Sequence, residues 1–157
     1  MRTFQITLSI VMIFLIGCNK GTETKSIESS SIALNEESDE LSDAYSLFYT
    51  NCYACHSVSS ASHDEILAPP MEAVKWRYQR SYKTEESFVE AIVQWGKNPH
   101  VDKALMRAAV DQFEVMPKQV FDEEELRKIA TYIYRNEIEK PVWFQTHFEE
   151  QHGNPGN

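Results

Sequence analysis

Basic charge is scarce in this chain. Against 24 Asp and Glu stand only 15 Lys and Arg, giving a formal net charge of −9. Nucleic-acid backbones are held through Lys and Arg, so nucleic acid is excluded as a partner, and a protein with a basic docking face suits this surface better. Strand signals are missing as well: no stretch alternates apolar and polar residues over the length of a strand. Long apolar runs are absent, since the best of them, Ile6 to Ile16, is too short to prefer spanning a bilayer. Cysteine is limited to three residues, an odd number, so at least one needs an explanation of its own. What remains is a chain of 157 residues, enough for one helical domain plus the segments that process and tether it.

Two of the cysteines stand in Cys52-Tyr53-Ala54-Cys55-His56. This pattern is the attachment motif for c-type haem. A gap of two residues lets one turn of chain present both sulfurs to the same edge of a planar macrocycle, and His56 then offers an imidazole nitrogen to iron. Two other chemistries use similar residues. A thioredoxin-like redox pair requires a βαβ surrounding, and a structural zinc site requires further Cys or His at ligand spacing. Neither context is visible, and the implied cofactor is one haem c bound through Cys52 and Cys55.

The third cysteine closes a different segment. Met1-Arg2, the apolar run and Gly17 have the order of a secretory signal peptide over residues 1–17. Leu15-Ile16-Gly17-Cys18 resembles the bacterial lipobox, in which the cysteine is acylated and becomes the mature N-terminus. An ordinary leader would leave Cys18 a reactive thiol in an oxidising compartment, which counts against it. The expectation is an exported, lipid-anchored protein facing the periplasm, because more than one acyl chain gives durable attachment. From Cys18 to Glu40 follows a polar tether, too poor in apolar residues to offset its ordering entropy. As a coil its reach is roughly 25 Å.

Residues 41–140 carry helical periodicity. Leu41, Ala44, Tyr45, Leu47, Phe48 and Tyr49 form the apolar face of a helix that runs into Cys52, with Asp39 or Ser42 as its cap. A polar loop over 57–63 and the extended Ala68-Pro69-Pro70 lead to a helix that starts near Pro70. Thr84 caps a third helix bearing Phe88, Ala91, Ile92 and Trp95, with Gly96 as its C′ residue. A short helix from Asp102 to about Val110 precedes an irregular Phe113–Pro117. Asp122 and Glu125 form a capping box for a last helix, in which Leu126, Ile129, Ala130 and Ile133 share one face and Pro141 ends the run near Lys140. The tail 141–157, with Trp143, Phe144 and Phe148, is apolar enough to pack back on the domain. His147 and His152, five apart in that tail, read as surface histidines and not as a metal site.

The second iron ligand decides the function. With one protein ligand a haem binds gases or peroxide, and with two it carries electrons. The candidates are Met71, Met106, Met116, His63, His100, His147 and His152. Met116 is favoured because Pro117 stiffens its loop, about sixty residues after His56 and just before the last helix. Met106 and His100 are the main rivals, although Met106 reads as a mid-helix packing residue.

From about Leu41 to Lys140 the chain resembles the class I (monohaem) cytochromes c. The likeness rests on Cys52-Tyr53-Ala54-Cys55-His56, on Ala68-Pro69-Pro70 and on Met116-Pro117 ahead of a closing helix. It implies an all-α cytochrome c fold, four to five helices around one covalently attached haem. It also implies that the Pro69 carbonyl orients His56, and that Ala44 and Phe48 cross Ile129 and Tyr132 where the first and last helices meet. Many members have glycine at the positions of Ala44 and Ala68. By the same resemblance Trp76, Arg77 and Tyr78 hydrogen-bond the haem propionates, a role that plain packing explains equally well.

The function expected is one-electron transfer by a membrane-anchored carrier between a respiratory donor and a terminal oxidase or reductase. Two alternatives remain. One is a gas- or peroxide-binding haem protein with a displaceable Met116, for which no distal acid–base pair is evident. The other is a haem subunit docked permanently to a larger redox enzyme through Trp143–Phe148.

Overall fold

In a computed structural model the chain is described over residues 24–153, with side-chain positions from residue 38 onward. The leader, Cys18 and the first residues of the tether lie outside this range. The described residues form six α-helices and no strand: α1 (Thr24–Cys52), α2 (Met71–Ser81), α3 (Glu85–Lys97), α4 (Arg107–Phe113), α5 (Glu123–Arg135) and α6 (Phe144–His152). Single turns of 3-10 helix occur at His63–Glu65 and Val101–Lys103. None of these helices is long and apolar enough to cross a membrane. The chain divides into compact units at residues 1–36 and 37–157, and all the packing below belongs to the second.

α1 departs from expectation at its start. The composition of 24–40 predicts a coil, yet the backbone is helical from Thr24, and Asp39 and Ser42 sit inside the helix and do not cap it. Extending a helix already fixed at Tyr45–Cys52 needs no new nucleus, and the Glu, Ala, Leu and Lys in this stretch tolerate helix well.

α5 and α3 make the most extensive contact between helices. On α5, Leu126, Ile129, Ala130 and Ile133 are all buried, as their i, i+3, i+4, i+7 spacing requires. Asp122 caps this helix by accepting from the backbone N–H groups of Glu124 and Glu125. Thr84 caps α3 in a reciprocal box with Ser87. Phe48 of α1, with 0 % exposure, lies 5.7 Å from the half-buried Tyr132 ring of α5, and Ala44 and Ile129 are buried, so the expected crossing forms.

Three boundaries differ from the sequence reading. Gly96 lies within α3 and not after it, and Asn98 caps the end. Its missing Cβ serves packing: an added Cβ would stand 3.1 Å from Leu126 Cδ1. α5 stops at Arg135, five residues before the expected end, because Asn136 turns extended and its amide Nδ2 and backbone N–H both go to the Tyr132 carbonyl. The helix expected from Asp102 is broken. Its first turn is the 3-10 turn, Ala104 is extended, and α4 begins only at Arg107.

The tail packs back as α6. Phe144 and Phe148 are buried, the Phe148 ring meets Trp76 at 5.0 Å, and Trp143 Nε1 donates to the Ser60 carbonyl at 3.1 Å.

Candidate functional site

A cavity of about 590 Å³ opens between the end of α1, α2, α3, α4 and α5. That volume is in the range of a cofactor site. Its wall is mostly apolar, including Leu67, Val74, Ile92, Leu105, Phe113 and Ile133.

Cys52 is the last residue of α1, and the chain then folds into a tight turn. The backbone N–H groups of Cys55 and His56 both bond the Cys52 carbonyl, at 3.3 and 2.9 Å. This turn places Cys52, Cys55 and His56 together on the cavity wall. Both thiols are free, Cys52 half-buried and Cys55 exposed. Burial pushes the Cys52 thiol up to about 12, so it carries its proton at neutral pH. If a haem were attached here, each of the two thiols would form one thioether bond, with the S–H hydrogen going to the neighbouring vinyl carbon.

His56 Nδ1 lies 2.6 Å from the Pro69 carbonyl oxygen. A carbonyl can only accept, so Nδ1 carries the hydrogen and Nε2 keeps its lone pair. Desolvation holds the imidazole below its usual pKa, against the smaller opposite pull of the Pro69 bond. The neutral ring with Nε2 unprotonated is the metal-ligating form, and the carbonyl behind it fixes its orientation.

Met116 lines the same cavity, half-buried beside Pro117. So do Met71 and Met106. Met106 is not mid-helix: the break before α4 leaves it as the N-cap residue at φ −108°, ψ 72°, with its side chain on the wall. Glu114, two residues before Met116, has φ 65° and ψ 177°, a region essentially reserved for glycine.

The other expected site residues divide. Pro69 and Tyr78 line the cavity, whereas Trp76 and Arg77 do not. Trp76 packs against Phe148 and His152 with Arg80 over its face, and Arg77 donates to Ser81 within α2. The side of α2 that carries Trp76 faces α6, while Val74 and Tyr78 line the cavity. Of the histidines, His63 stacks on His147 at 4.3 Å, and His100 accepts from the Asp102 N–H at the surface. No group of three or more His, Cys, Asp or Glu among the described residues is placed to hold a metal ion. Trp95, Phe113 and Phe121 line the cavity without having been singled out. For Trp95 the α3 periodicity held the signal, whereas Phe113 reaches the wall from the last residue of α4 and Phe121 from an irregular stretch.

The residues present fit a covalently held haem: two free thiols on one turn, an oriented neutral imidazole and thioether side chains around one apolar space. Comparison with known proteins agrees. The cytochrome c family model matches residues 41–136. An uncharacterized protein of Aquifex aeolicus (strain VF5) is 28% identical over 114 residues, covering 61% of this chain and 74% of that protein. No solved structure matches. Because the family match takes in more than half of the sequence and contains the whole cysteine–histidine turn, the chain belongs to the cytochrome c family, whose cofactor is covalent haem c.

Proposed function

We propose that this cytochrome carries single electrons outside the cytoplasm. In this reading it is held at a membrane by acyl chains on Cys18, and it has His56 and Met116 as its two axial ligands. Its partners are a respiratory donor and a terminal oxidase or reductase, met through a surface whose excess of acidic residues suits basic docking faces. The observation that carries the reading is the His56–Pro69 hydrogen bond in the same cavity as Met116.

Bound haem supplies a one-electron couple at iron. The protein's part is positional. Pro69 holds the imidazole, the turn after α1 holds both sulfurs, and Pro117 restricts the Met116 loop. Apolar side chains from α2, α3 and α5 supply much of the wall. The ionisable side chains on that wall are Cys52, Cys55, His56, Tyr78 and Glu114. With His56 committed to Pro69 and Glu114 exposed, they offer no matched acid–base pair for turnover, which favours a carrier over an enzyme.

Oxidised wild-type protein is expected to be low-spin with a sulfur-to-iron charge-transfer band, and to take up carbon monoxide slowly when reduced. Met116→Ala removes the band. Retention of the band in that variant moves the ligand to Met106, which Met106→Ala then tests. High-spin ferrous spectra with fast carbon monoxide uptake would sink the carrier reading. Membrane attachment that survives a salt wash in Cys18→Ser would refute the lipid anchor.

A further inference from the structure

Two tyrosine hydroxyls converge on one carboxylate directly behind the cysteine pair. Tyr53, inside the attachment motif, donates to Glu139 Oε2 at 2.7 Å. Tyr45, two helical turns earlier, donates to Glu139 Oε1 at 2.7 Å. Tyr53 is 8 % exposed, and its neighbours Cys52 and Ala54 both line the cavity, so its ring stands one residue behind the wall. Aromatic contacts continue from there. Tyr53 meets Phe48 at 4.6 Å and Tyr49 at 5.7 Å, and Tyr49 meets Tyr45 at 6.2 Å. Tyr49 is 57 % exposed, so the rings connect the buried phenol to solvent.

A clamp from α1 to the segment after α5 would need one such hydrogen bond. The second phenol on the same carboxylate and the ring path to the surface exceed that need. Glu139 lies just beyond residues 41–136, which the family model matches, whereas Tyr45 and Tyr53 lie within them.

We propose that Tyr53 and Glu139, with Tyr45 on the second carboxylate oxygen, form a proton-coupled oxidation site beside the haem attachment segment. Its oxidant is a strong one-electron acceptor, such as a radical derived from peroxide. The oxidant takes one electron from Tyr53, the Tyr53 O–H bond breaks, and the proton passes to Glu139. A neutral phenoxyl radical and a neutral carboxylic acid result. A phenol that has lost an electron is a strong acid, and a carboxylate oxygen 2.7 Å away is within reach to accept its proton. The charge states are right for this step. Burial and then the Glu139 bond hold the Tyr53 phenol well above its usual pKa, so it rests protonated. Glu139 rests ionised: desolvation would raise its pKa, but the bonds from Tyr45 and Tyr53 outweigh it and bring it below the usual carboxylate value. A soluble reductant of the thiol or ascorbate class then returns the electron by way of Tyr49, and Glu139 returns the proton. The site thereby draws oxidising equivalents away from the thioether-bearing turn.

The test uses the haem-loaded protein with a flash-generated ruthenium(III) polypyridyl oxidant and freeze-quench electron paramagnetic resonance. Wild type is expected to give a tyrosyl radical whose formation slows in deuterium oxide. Tyr53→Phe should remove most of the signal. Glu139→Gln keeps both phenols but loses the base, and should slow radical formation by about a hundredfold or more, the lower end of what a positioned base contributes. A purely structural clamp would lower the unfolding midpoint of Glu139→Gln and leave the rate and the isotope effect alone. The proposal is overturned by an absent radical, by an absent isotope effect in wild type, by a full signal in Tyr53→Phe, or by an unchanged rate in folded Glu139→Gln. Should Glu139→Gln not fold, the wild-type isotope effect and Tyr53→Phe decide.

Discussion

At the scale of single residues, the costliest backbone position described is Glu114. Its φ of 65° with ψ near 180° puts Cβ against the backbone, at about 1–3 kcal/mol for a side-chain-bearing residue. The strain sits between α4 and Met116, which lines the cavity. Glycine adopts this conformation freely but loses more entropy on folding, about 0.5–1 kcal/mol. Glu114→Gly should therefore stabilise the haem-loaded protein by about 1 kcal/mol, seen as a higher urea midpoint with an unchanged slope. A lower midpoint would show that the Glu114 side chain makes a contribution larger than its strain.

At the scale of elements, the site depends on where α1 ends, and α1 is held by its crossing with α5. Phe48 fills that crossing, in contact with Tyr53 and Tyr132. Polar links frame it: Lys128 of α5 bonds Asp43 at 2.7 Å, and Glu139 reaches Tyr45 and Tyr53. The exposed Lys128–Asp43 pair adds little, so apolar packing carries the joint. Phe48→Ala should cost about 3–5 kcal/mol in denaturant unfolding of the haem-loaded protein. A loss below about 1 kcal/mol would mean that the crossing collapses around the void.

At the scale of the whole molecule, charge pairs join helices that are distant in sequence. Arg135 of α5 holds Glu85 of α3, Lys97 of α3 holds Glu123 of α5, and Arg127 of α5 holds Glu90 of α3 as well as Glu123 within its own helix. These bonds keep Glu85 and Glu123 below the usual carboxylate pKa, and Glu90 likewise through Gln94 first and Arg127 second. A carboxylate with a depressed folded-state pKa adds stability that is present above its unfolded value of about 4.3 and lost as pH falls through the folded value. The thermal midpoint should thus stay level from about pH 7 to pH 5 and decline below about pH 4, less steeply in high salt because the pairs are exposed. A midpoint that holds level to pH 3 would remove these pairs from the account.

The sequence by itself determined what local spacing encodes. Cys52, Cys55 and His56 need only one turn of chain to meet, and that turn follows α1 as expected. The buried face of α5, the caps at Thr84 and Asp122 and the all-helical class follow from periodicity and short-range hydrogen bonding. Only the tertiary structure decided which side chains face the cavity. Trp76 and Arg77 share α2 with Tyr78, yet only Tyr78 lines the wall, because α6 takes the side that carries Trp76. Met106 reaches the wall because the helix breaks at Ala104, and Glu139 reaches Tyr53 because α5 ends at Arg135. Where a helix breaks and which way it rotates depend on residues far along the chain, and periodicity within one segment holds no record of them.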